Sequence, residues 1–262
     1  MKKLVLFFLI ATNCFNLYAQ FGLNGVVAHR CGIYNDPALP ENSIAALNKA
    51  MELKVYAAEI DVHLTADNIP IVFHDHEYDG LNVETSTYEQ LKRIKLSNGE
   101  HIPTLDEFIK ETLKDSRIKL WLDFKRSKIS KARNVLLAKY AADVIKKNHA
   151  QHRMEVITPS FDAVVMMKLL EPSVKLYYIG TDKTPETLSL LGIEGVNIAY
   201  GRYNKGEYSI QEAHKYGLLI GSYVVDDPEE MRNQLRKGVQ FITTNKPALL
   251  QEVLKEFNWI RE

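Results

Sequence analysis

Short apolar runs alternate along this chain with segments in which apolar residues recur at helical spacing. The apolar runs predict strands at residues 25–29, 56–63, 70–74, 118–124, 154–158, 174–179, 195–199, 218–225 and 239–243. The helical segments cover 43–53, a stretch that begins after Thr104, 131–147, 161–170, 184–191, 210–216 and 228–237. Strands that alternate with helices are typical of βα units and a parallel sheet. The pattern predicts an irregular (β/α)₈ barrel, the TIM-barrel architecture, with one connection that departs from the repeat.

The irregular connection lies between the second and third predicted strands. Residues 64–69 are too few for a crossover helix, and Asp67-Asn68 is typical turn sequence. We therefore expect a hairpin-like excursion that brings His74 back toward Glu59 and Asp61. In such barrels, catalytic groups gather at the carboxyl ends of the strands. The ionisable residues at or near predicted strand ends are His29, Arg30, Asp61, His74 and Asp123.

The composition indicates one globular domain. The 262 residues are 46% hydrophobic and 25% charged, and no low-complexity segment, internal repeat or Pro/Gly-rich linker divides them. The formal net charge is +0 and the sequence pI is about 7.1, so no overall positive field favours nucleic acid. No nucleic-acid partner is therefore expected. The sequence does not fix the oligomeric state.

The first residues have the pattern of an export signal. Two lysines precede an apolar run over residues 4–12, and small Ala19 precedes the expected cleavage site. This pattern predicts a signal peptide over 1–19, a mature domain over 20–262, and hence a periplasmic or secreted protein. The apolar run is too short to be a transmembrane segment of the mature chain.

Two alternatives to this cleavage stay open. A lipoprotein would be anchored through Cys14, although Asn13 is an unfavourable residue directly before a lipidated cysteine. Residues 1–19 would otherwise form a buried N-terminal helix. Cleavage after Ala19 leaves Cys31 without a second cysteine, so the mature chain forms no internal disulfide and depends on its core for stability.

Three acidic residues on two predicted strands form a candidate metal site. Glu59 and Asp61 are two residues apart on one strand, so their side chains point the same way. Two such carboxylates on an apolar strand repel each other unless a cation lies between them. Asp123 on a later strand can complete a three-carboxylate site for one divalent cation, Ca²⁺ or Mg²⁺. The alternatives are a solvated edge face for the first two acids and a structural ion pair between Asp123 and Lys125.

Basic residues near the same strand ends fit phosphoester chemistry. His29 and His74 suit a general base and a general acid, because imidazole titrates near neutral pH. Arg30 and Lys125 can hold phosphate oxygens. Histidines at strand ends are also common as surface or core residues, which is the structural alternative. Weaker candidates, which could instead start a helix or face solvent, are Glu41, His63 and His76. Aromatic residues more typical of a core than of a substrate wall are Trp121, Phe161 and Tyr223.

The order of short motifs along the chain is specific. The motifs are His29-Arg30, Pro40-Glu41-Asn42-Ser43, Glu59-Ile60-Asp61-Val62, Thr65-Ala66-Asp67, Val72-Phe73-His74-Asp75, Ile102-Pro103-Thr104-Leu105-Asp106-Glu107 and residues 238–247. This order resembles the glycerophosphodiester phosphodiesterase family. The resemblance implies an irregular TIM barrel with a bound divalent cation, which hydrolyses glycerophosphodiesters to glycerol 3-phosphate and an alcohol. The expected partner is therefore a small-molecule phosphodiester substrate. It further implies that the histidines matching His29 and His74 act as acid and base, and that Glu59, Asp61 and Asp123 hold the metal. A cyclic phosphate intermediate, formed by attack of the glycerol 2-hydroxyl, is the mechanism that it suggests.

Four positions depart from the pattern of that family. Cys31 stands where glycine is usual, and we expect its side chain to narrow the phosphate site or to shift the loop. Asp123 is one methylene shorter than the usual glutamate. The segment 78–85 lacks an Arg-Thr-Thr run, and the closing strand has Thr244-Asn245 where the family often has an aspartate.

Three other functions are alternatives, and the missing Arg-Thr-Thr run and Cys31 keep the first of them open. A related phospholipase-type lyase would release a cyclic phosphate as its product. A barrel that binds glycans or lipid headgroups without turnover is a further alternative. A sugar-isomerase-type metal barrel is disfavoured, because such a site needs no arginine after the first histidine.

Overall fold

The computed structural model describes residues 25–32 and 36–259, with side chains described as far as residue 256. The expected signal peptide over 1–19 and Cys14 lie outside the described residues. Within those residues, no helix has both the length and the apolar composition of a membrane span.

The described part of the chain contains eleven strands. In chain order they are β1 Val26–Ala28, β2 Ala57–Leu64, β3 Pro70–Val72, β4 Glu77–Tyr78, β5 Leu81–Asn82, β6 Lys119–Phe124, β7 Met154–Thr158, β8 Lys175–Tyr178, β9 Gly195–Ala199, β10 Leu219–Tyr223 and β11 Phe241–Thr244. All except β3, β4 and β5 run parallel to their neighbours in one sheet. Because β1 pairs with both β2 and β11, the sheet closes into a barrel. The predicted (β/α)₈ barrel is confirmed, and every predicted strand is present.

Ten α-helices lie in the same described segments. They are α1 Ile44–Glu52, α2 Tyr88–Leu91, α3 Leu105–Thr112, α4 Lys131–Lys147, α5 Phe161–Leu170, α6 Pro185–Leu190, α7 Tyr200–Asn204, α8 Ile210–Lys215, α9 Pro228–Lys237 and α10 Pro247–Trp259. The predicted helical segments match all but α2, α7 and α10. Helix α3 begins with a reciprocal cap, since Thr104 N donates to Glu107 Oε2 at 2.7 Å and Glu107 N donates to Thr104 Oγ1 at 3.2 Å.

The connection after β2 is the predicted hairpin-like excursion. β3 pairs antiparallel with the last residues of β2. The turn between them contains Asn68 at a φ of 61°, and Thr65 Oγ1 donates to Asp67 Oδ1 at 2.6 Å. β3 therefore returns the chain toward the carboxyl end of the barrel. His74 follows two residues after the last residue of β3.

Side chains that face the barrel axis form a layered core. Val27, Trp121, Tyr177 and Phe241 belong to an inner apolar cluster, in which the Trp121 and Tyr177 rings stack with centroids 4.9 Å apart. A larger outer cluster packs the other strand faces against the helices. Strand residues alternate between faces. The residue two positions after each inner-cluster residue on the same strand therefore also faces the axis, nearer to the carboxyl end. Those positions carry the ionisable side chains of the candidate site.

Candidate active site

The three acids predicted to bind metal lie together at the carboxyl end of the barrel. Glu59 and Asp61 project from β2, and Asp123 projects from β6 in register with Asp61. One oxygen of each carboxylate lies within 4.8 Å of the others. Glu59 and Asp61 are 2% and 0% exposed, and the Asp123 side chain is 14% exposed. The cluster is therefore largely withdrawn from water, unlike a solvated edge face.

Neighbouring polar groups balance the charge of Asp61. Lys125 Nζ lies 2.5 Å from Asp61 Oδ1 and 2.6 Å from Asp123 Oδ2. Asn42 Nδ2 donates to Asp61 Oδ2 at 2.7 Å, and Arg30 Nε lies 3.5 Å from the same oxygen. Burial alone would raise the pKa of Asp61, but the Lys125 ammonium and the Asn42 amide hold it below its usual range. Burial opposes the charge of Lys125 in turn, but the surrounding acids outweigh burial and raise its pKa.

Glu59 and Asp123 carry carboxylate charge that protein groups compensate only in part. Burial, together with the charges of Asp61 and Asp123, raises the pKa of Glu59 well above its usual value. Asp123 Oδ1 is buried and has no hydrogen-bond partner among the described residues. A buried acceptor without a donor is costly, and a divalent cation with oxygen ligands would satisfy it. The chemistry of these three acids therefore fits one Ca²⁺ or Mg²⁺ ion.

We expect Glu59→Gln to stabilise the metal-free protein and to abolish its stabilisation by cations. Because the folded state raises the pKa of Glu59, its ionisation costs folding free energy above about pH 4.5, the ordinary value. Glutamine removes that cost and can still accept the hydrogen bond from Arg30 N, which is 2.7 Å long. Thermal unfolding with EDTA and with Mg²⁺ or Ca²⁺ measures both effects. In the wild type, cation at about 100 times its Kd is expected to add about 2.7 kcal/mol.

Two outcomes would contradict this argument. If the metal-free Glu59→Gln protein is less stable than the wild type at pH 7, ionised Glu59 does not destabilise the folded state. Retention of the gain below pH 4.5, where the wild-type carboxyl is protonated in both folded and unfolded chains, would assign the gain to something other than charge.

A 3₁₀ turn at His29–Cys31 sets the position of Arg30. Arg30 and Cys31 have φ angles of 51° and 69°, in the region that favours glycine. Arg30 N donates to Glu59, while Arg30 Nη1 lies 2.9 and 3.0 Å from the two carboxylate oxygens of Glu41. Cys31 packs, fully buried, in the outer apolar cluster and does not line the site cavity. The expectation that its side chain narrows the phosphate site is therefore wrong.

His29 is held where the barrel closes by residues that follow β10 and β11. Its Nδ1 lies 2.7 Å from Asn245 Oδ1, and Asn245 Nδ2 donates to Asp226 Oδ2 at 2.6 Å. A carboxylate only accepts, so Asp226 fixes the Asn245 amide with Oδ1 toward His29, and His29 must donate from Nδ1. The lone pair then lies on Nε2. Burial lowers the pKa of His29, which favours this neutral form.

His74 follows the excursion and lies close enough to Asp61 and Asp123 to interact with them electrostatically. Directly after β3, the Phe73 backbone N donates to the Asp61 backbone O at 3.0 Å. The His74 side chain is 34% exposed, and its Nδ1 lies 2.8 Å from Asp75 Oδ1. His63 Nε2 donates to the His74 backbone O at 3.1 Å, and burial lowers the pKa of His63 to about 4. His63 is thus a buried, neutral support for His74 rather than a solvent-facing residue.

A cavity of about 440 Å³ opens at this end of the barrel. Its lining residues are His29, Arg30, Glu59, Asp123, Lys125, Ile157, Pro159, Ile179, Asn197, Tyr223, Val224 and Thr243. The lining combines charged, polar and apolar side chains, and the volume suits a small molecule. Trp121 and Phe161 pack in the apolar clusters as predicted, but Tyr223 lines the cavity, so its assignment to the core is wrong.

The chain is similar along most of its length to known phosphodiesterases. The model of the glycerophosphoryl diester phosphodiesterase family matches residues 29–249. The chain belongs to this family. A glycerophosphodiester phosphodiesterase of Caldanaerobacter subterraneus subsp. tengcongensis is 28% identical over 250 residues, which cover 88% of this chain and 98% of that protein.

Solved structures of a glycerophosphodiester phosphodiesterase and of a further phosphodiesterase share the fold. One from Parabacteroides distasonis has a TM-score of 0.84 and 32% identity, covering 89% of this chain and 97% of that chain. An Oleispira antarctica phosphodiesterase, solved in complex with the product sn-glycerol-3-phosphate, has a TM-score of 0.76 and 22% identity. That match covers 88% of this chain and 96% of that chain.

Three residues that hold the site of this family member are absent from the sequence-based candidates. Asn42 bonds to Asp61 through both the side chain and the backbone of that acid. Asn245 and Asp226 orient His29. Asn42 and Asn245 stand in motifs that carry the family resemblance, which is a usable signal. Asp226 has no such signal in the sequence, because its role depends on a contact that forms only in the folded protein.

Proposed function

We propose that this chain hydrolyses glycerophosphodiesters to glycerol 3-phosphate and an alcohol with the help of one bound divalent cation. The observation that carries the proposal is the buried acidic cluster beside His29, in a cavity of small-molecule size. Buried acids, a neutral histidine and basic side chains are the parts that metal-assisted phosphoester cleavage needs. Membership of the family and the product complex of the Oleispira antarctica phosphodiesterase support the choice of substrate.

Glu59, Asp61 and Asp123 would hold the cation, Ca²⁺ or Mg²⁺. When bound, the cation supplies positive charge that polarises the phosphoryl group. Lys125 and Arg30 stabilise the negative charge that develops on the phosphoryl oxygens. Both basic side chains lie at the cavity wall beside the acids, so they reach a phosphate placed there.

His29 acts as the general base and His74 as the general acid. His29 Nε2 removes the proton of the glycerol 2-hydroxyl, and the hydroxyl oxygen attacks phosphorus. The bond from phosphorus to the alcohol breaks, and His74 gives its proton to the leaving oxygen. Water then opens the cyclic phosphate with the two histidines in reversed roles, which yields glycerol 3-phosphate. The assignment of the base rests on the Nδ1 contact of His29 with Asn245, which leaves Nε2 unprotonated.

We expect Asp226→Asn to lower kcat by about 10- to 100-fold without a matching change in KM. An asparagine at this position donates as well as accepts, so Asn245 is no longer held with Oδ1 toward His29. Asp227→Asn is the matched control, because Asp227 caps α9 by accepting from Glu230 N at 2.9 Å and asparagine caps equally well. Equal kcat values for the two variants would contradict the role of Asp226.

The activity is tested by incubating the protein with glycerophosphocholine, glycerophosphoethanolamine and glycerophosphoinositol. Reactions with EDTA and with added Ca²⁺ or Mg²⁺ are followed by phosphorus NMR. The expected product is glycerol 3-phosphate, formed only with metal. A persistent cyclic phosphate would instead assign the chain to the lyase type. Binding without turnover would favour a barrel that binds headgroups or glycans.

We also propose that residues 1–19 direct export and are removed from the domain over 20–262. The sequence pattern alone supports this proposal. Mass spectrometry of the mature N-terminus distinguishes cleavage after Ala19 from lipidation at Cys14.

A further inference from the structure

Two buried polar side chains line the cavity on strands that carry none of the three acids. Asn197 on β9 and Thr243 on β11 are 1% and 2% exposed, and both line the cavity. Asn197 Oδ1 and Thr243 Oγ1 have no hydrogen-bond partner among the described residues. Buried polar atoms are nearly always bonded, so two unpaired ones in one cavity point to a ligand that supplies the missing partner.

The barrel leaves room for these two side chains. Asn197 is in register with Gly221 on β10, and a Cβ atom on Gly221 would lie only 2.7 Å from Asn197 Oδ1. Any larger residue there would displace the amide. Apolar residues, among them Ile157 and Ile179, line the same cavity. Asn197 and Thr243 together are called the polar floor of the cavity.

The polar floor lines the same cavity as the reacting groups. Thr243 is in register with Val27 on β1, and His29 follows two residues later. Two strand residues span about 6.6 Å, so a short carbon chain attached to a phosphate beside His29 reaches the floor. A hydroxyl at the end of that chain can donate to Asn197 Oδ1 and accept from Thr243 Oγ1, which satisfies both atoms.

We propose that Asn197 and Thr243 bind the terminal hydroxyl of the glycerol arm and so select hydroxylated substrates over aliphatic ones. This inference rests on the proposed function, because it takes the phosphate to lie beside the acids. A substrate without the hydroxyl leaves both buried atoms unpaired. Sites built to bond a hydroxyl reject analogues that lack it far more strongly than apolar pockets reject a missing methylene.

The test compares two phosphates by calorimetry in the presence of Mg²⁺. Glycerol 3-phosphate carries the terminal hydroxyl, and propane-1,2-diol 1-phosphate lacks it but keeps the 2-hydroxyl. The wild type is expected to bind glycerol 3-phosphate about 10- to 100-fold more tightly. Thr243→Val and Asn197→Leu, which keep the shape of each side chain, are expected to remove most of this preference by weakening the binding of glycerol 3-phosphate alone.

Ser222→Ala is the matched control variant. Ser222 is also buried with an unpaired hydroxyl, but it alternates with Gly221 and Tyr223 and so faces away from the cavity. Ser222→Ala is expected to keep the wild-type preference. Melting temperatures of all three variants show whether each is folded.

Three results would overturn the selective floor: equal affinity of the wild type for the two phosphates, no binding of either, or a preference that survives in both floor variants. Turnover of glycerophosphocholine is measured separately and decides the proposed function. A binding preference for glycerol 3-phosphate without turnover would support the role of Asn197 and Thr243 and contradict the proposed hydrolase activity. Turnover of glycerophosphocholine without that binding preference would support the hydrolase activity and contradict the role of Asn197 and Thr243.

Discussion

His29→Ala is expected to lower kcat on a glycerophosphodiester by about 10²- to 10⁴-fold, the usual contribution of a positioned acid–base group. The substitution removes the base but none of the three acids, so the rise in melting temperature with Mg²⁺ or Ca²⁺ is expected to persist. Burial lowers the pKa of His29, and the base must be neutral to act. The wild-type kcat/KM is therefore expected to fall only as the pH drops below 6.5, the ordinary histidine value.

His74 provides the paired variant, and His101 provides its control. His74→Ala is expected to lose activity on the same scale, because the leaving alcohol no longer receives a proton. The side chains of His74 and His101 are both 34% exposed, and each pairs with an acid, Asp75 at 2.8 Å and Glu107 at 3.1 Å. His101→Ala is expected to keep wild-type kcat. A loss of no more than about twofold in His29→Ala would exclude the two-histidine mechanism, given the expected contribution.

Asp61→Asn is expected to weaken cation binding by at least about 100-fold and to abolish metal-dependent turnover, since even outer partners of a metal ligand contribute 10- to 100-fold. The variant keeps the size of the side chain but removes the charge that pairs with Lys125 and Arg30. It also turns one acceptor oxygen into a donor, which opposes the amide of Asn42. The metal-free variant is expected to be less stable, because Lys125 loses a buried partner. Equilibrium dialysis with Mg²⁺ and thermal unfolding measure these effects.

Glu155 gives a control acid that is equally buried but lies outside the cluster. It is 1% exposed on β7, and its carboxylate accepts from Tyr56 Oη at 2.7 Å and from Trp121 Nε1 at 2.8 Å. Glu155→Gln is expected to cost stability and to leave cation affinity unchanged. If Asp61→Asn bound Mg²⁺ as tightly as Glu155→Gln does, Asp61 would not be a ligand.

The barrel was predictable because its strands are short and buried on both faces. A parallel strand covered on both sides is rich in apolar residues, and every residue of β2 and β7 is buried. The β4–β5 hairpin escaped prediction although Asp79-Gly80 is a strong turn signal, with φ angles of 51° and 73°. Its strands are two residues long, which is too short for any periodicity. Helices α2 and α7 are missed for the same reason, whereas α10 is missed despite Pro247 at its first position.

The acids and histidines of the site were predictable, but their partners were only partly so. Alternation along β2 places Glu59 and Asp61 on one face, and the excursion follows from the short link before His74. The hydrogen bonds that hold His29 join segments that meet only in the folded barrel. No local pattern shows that Asp226 directs an amide toward a histidine on β1. Likewise, Cys31 enters the outer core because of a backbone turn that the sequence does not reveal.

His29, the proposed base, is held where the first and last strands of the barrel meet. His29 follows β1 and Asn245 follows β11, and these partners lie 216 residues apart in the chain. The acids come from β2 and β6, which are much nearer in sequence and pair directly. Contacts between distant segments carry the larger loop-closure entropy and slow the folding of a chain. The acidic cluster therefore depends on strands that are near in sequence, whereas the His29 tautomer that the proposed mechanism uses is set only after the last strand has docked.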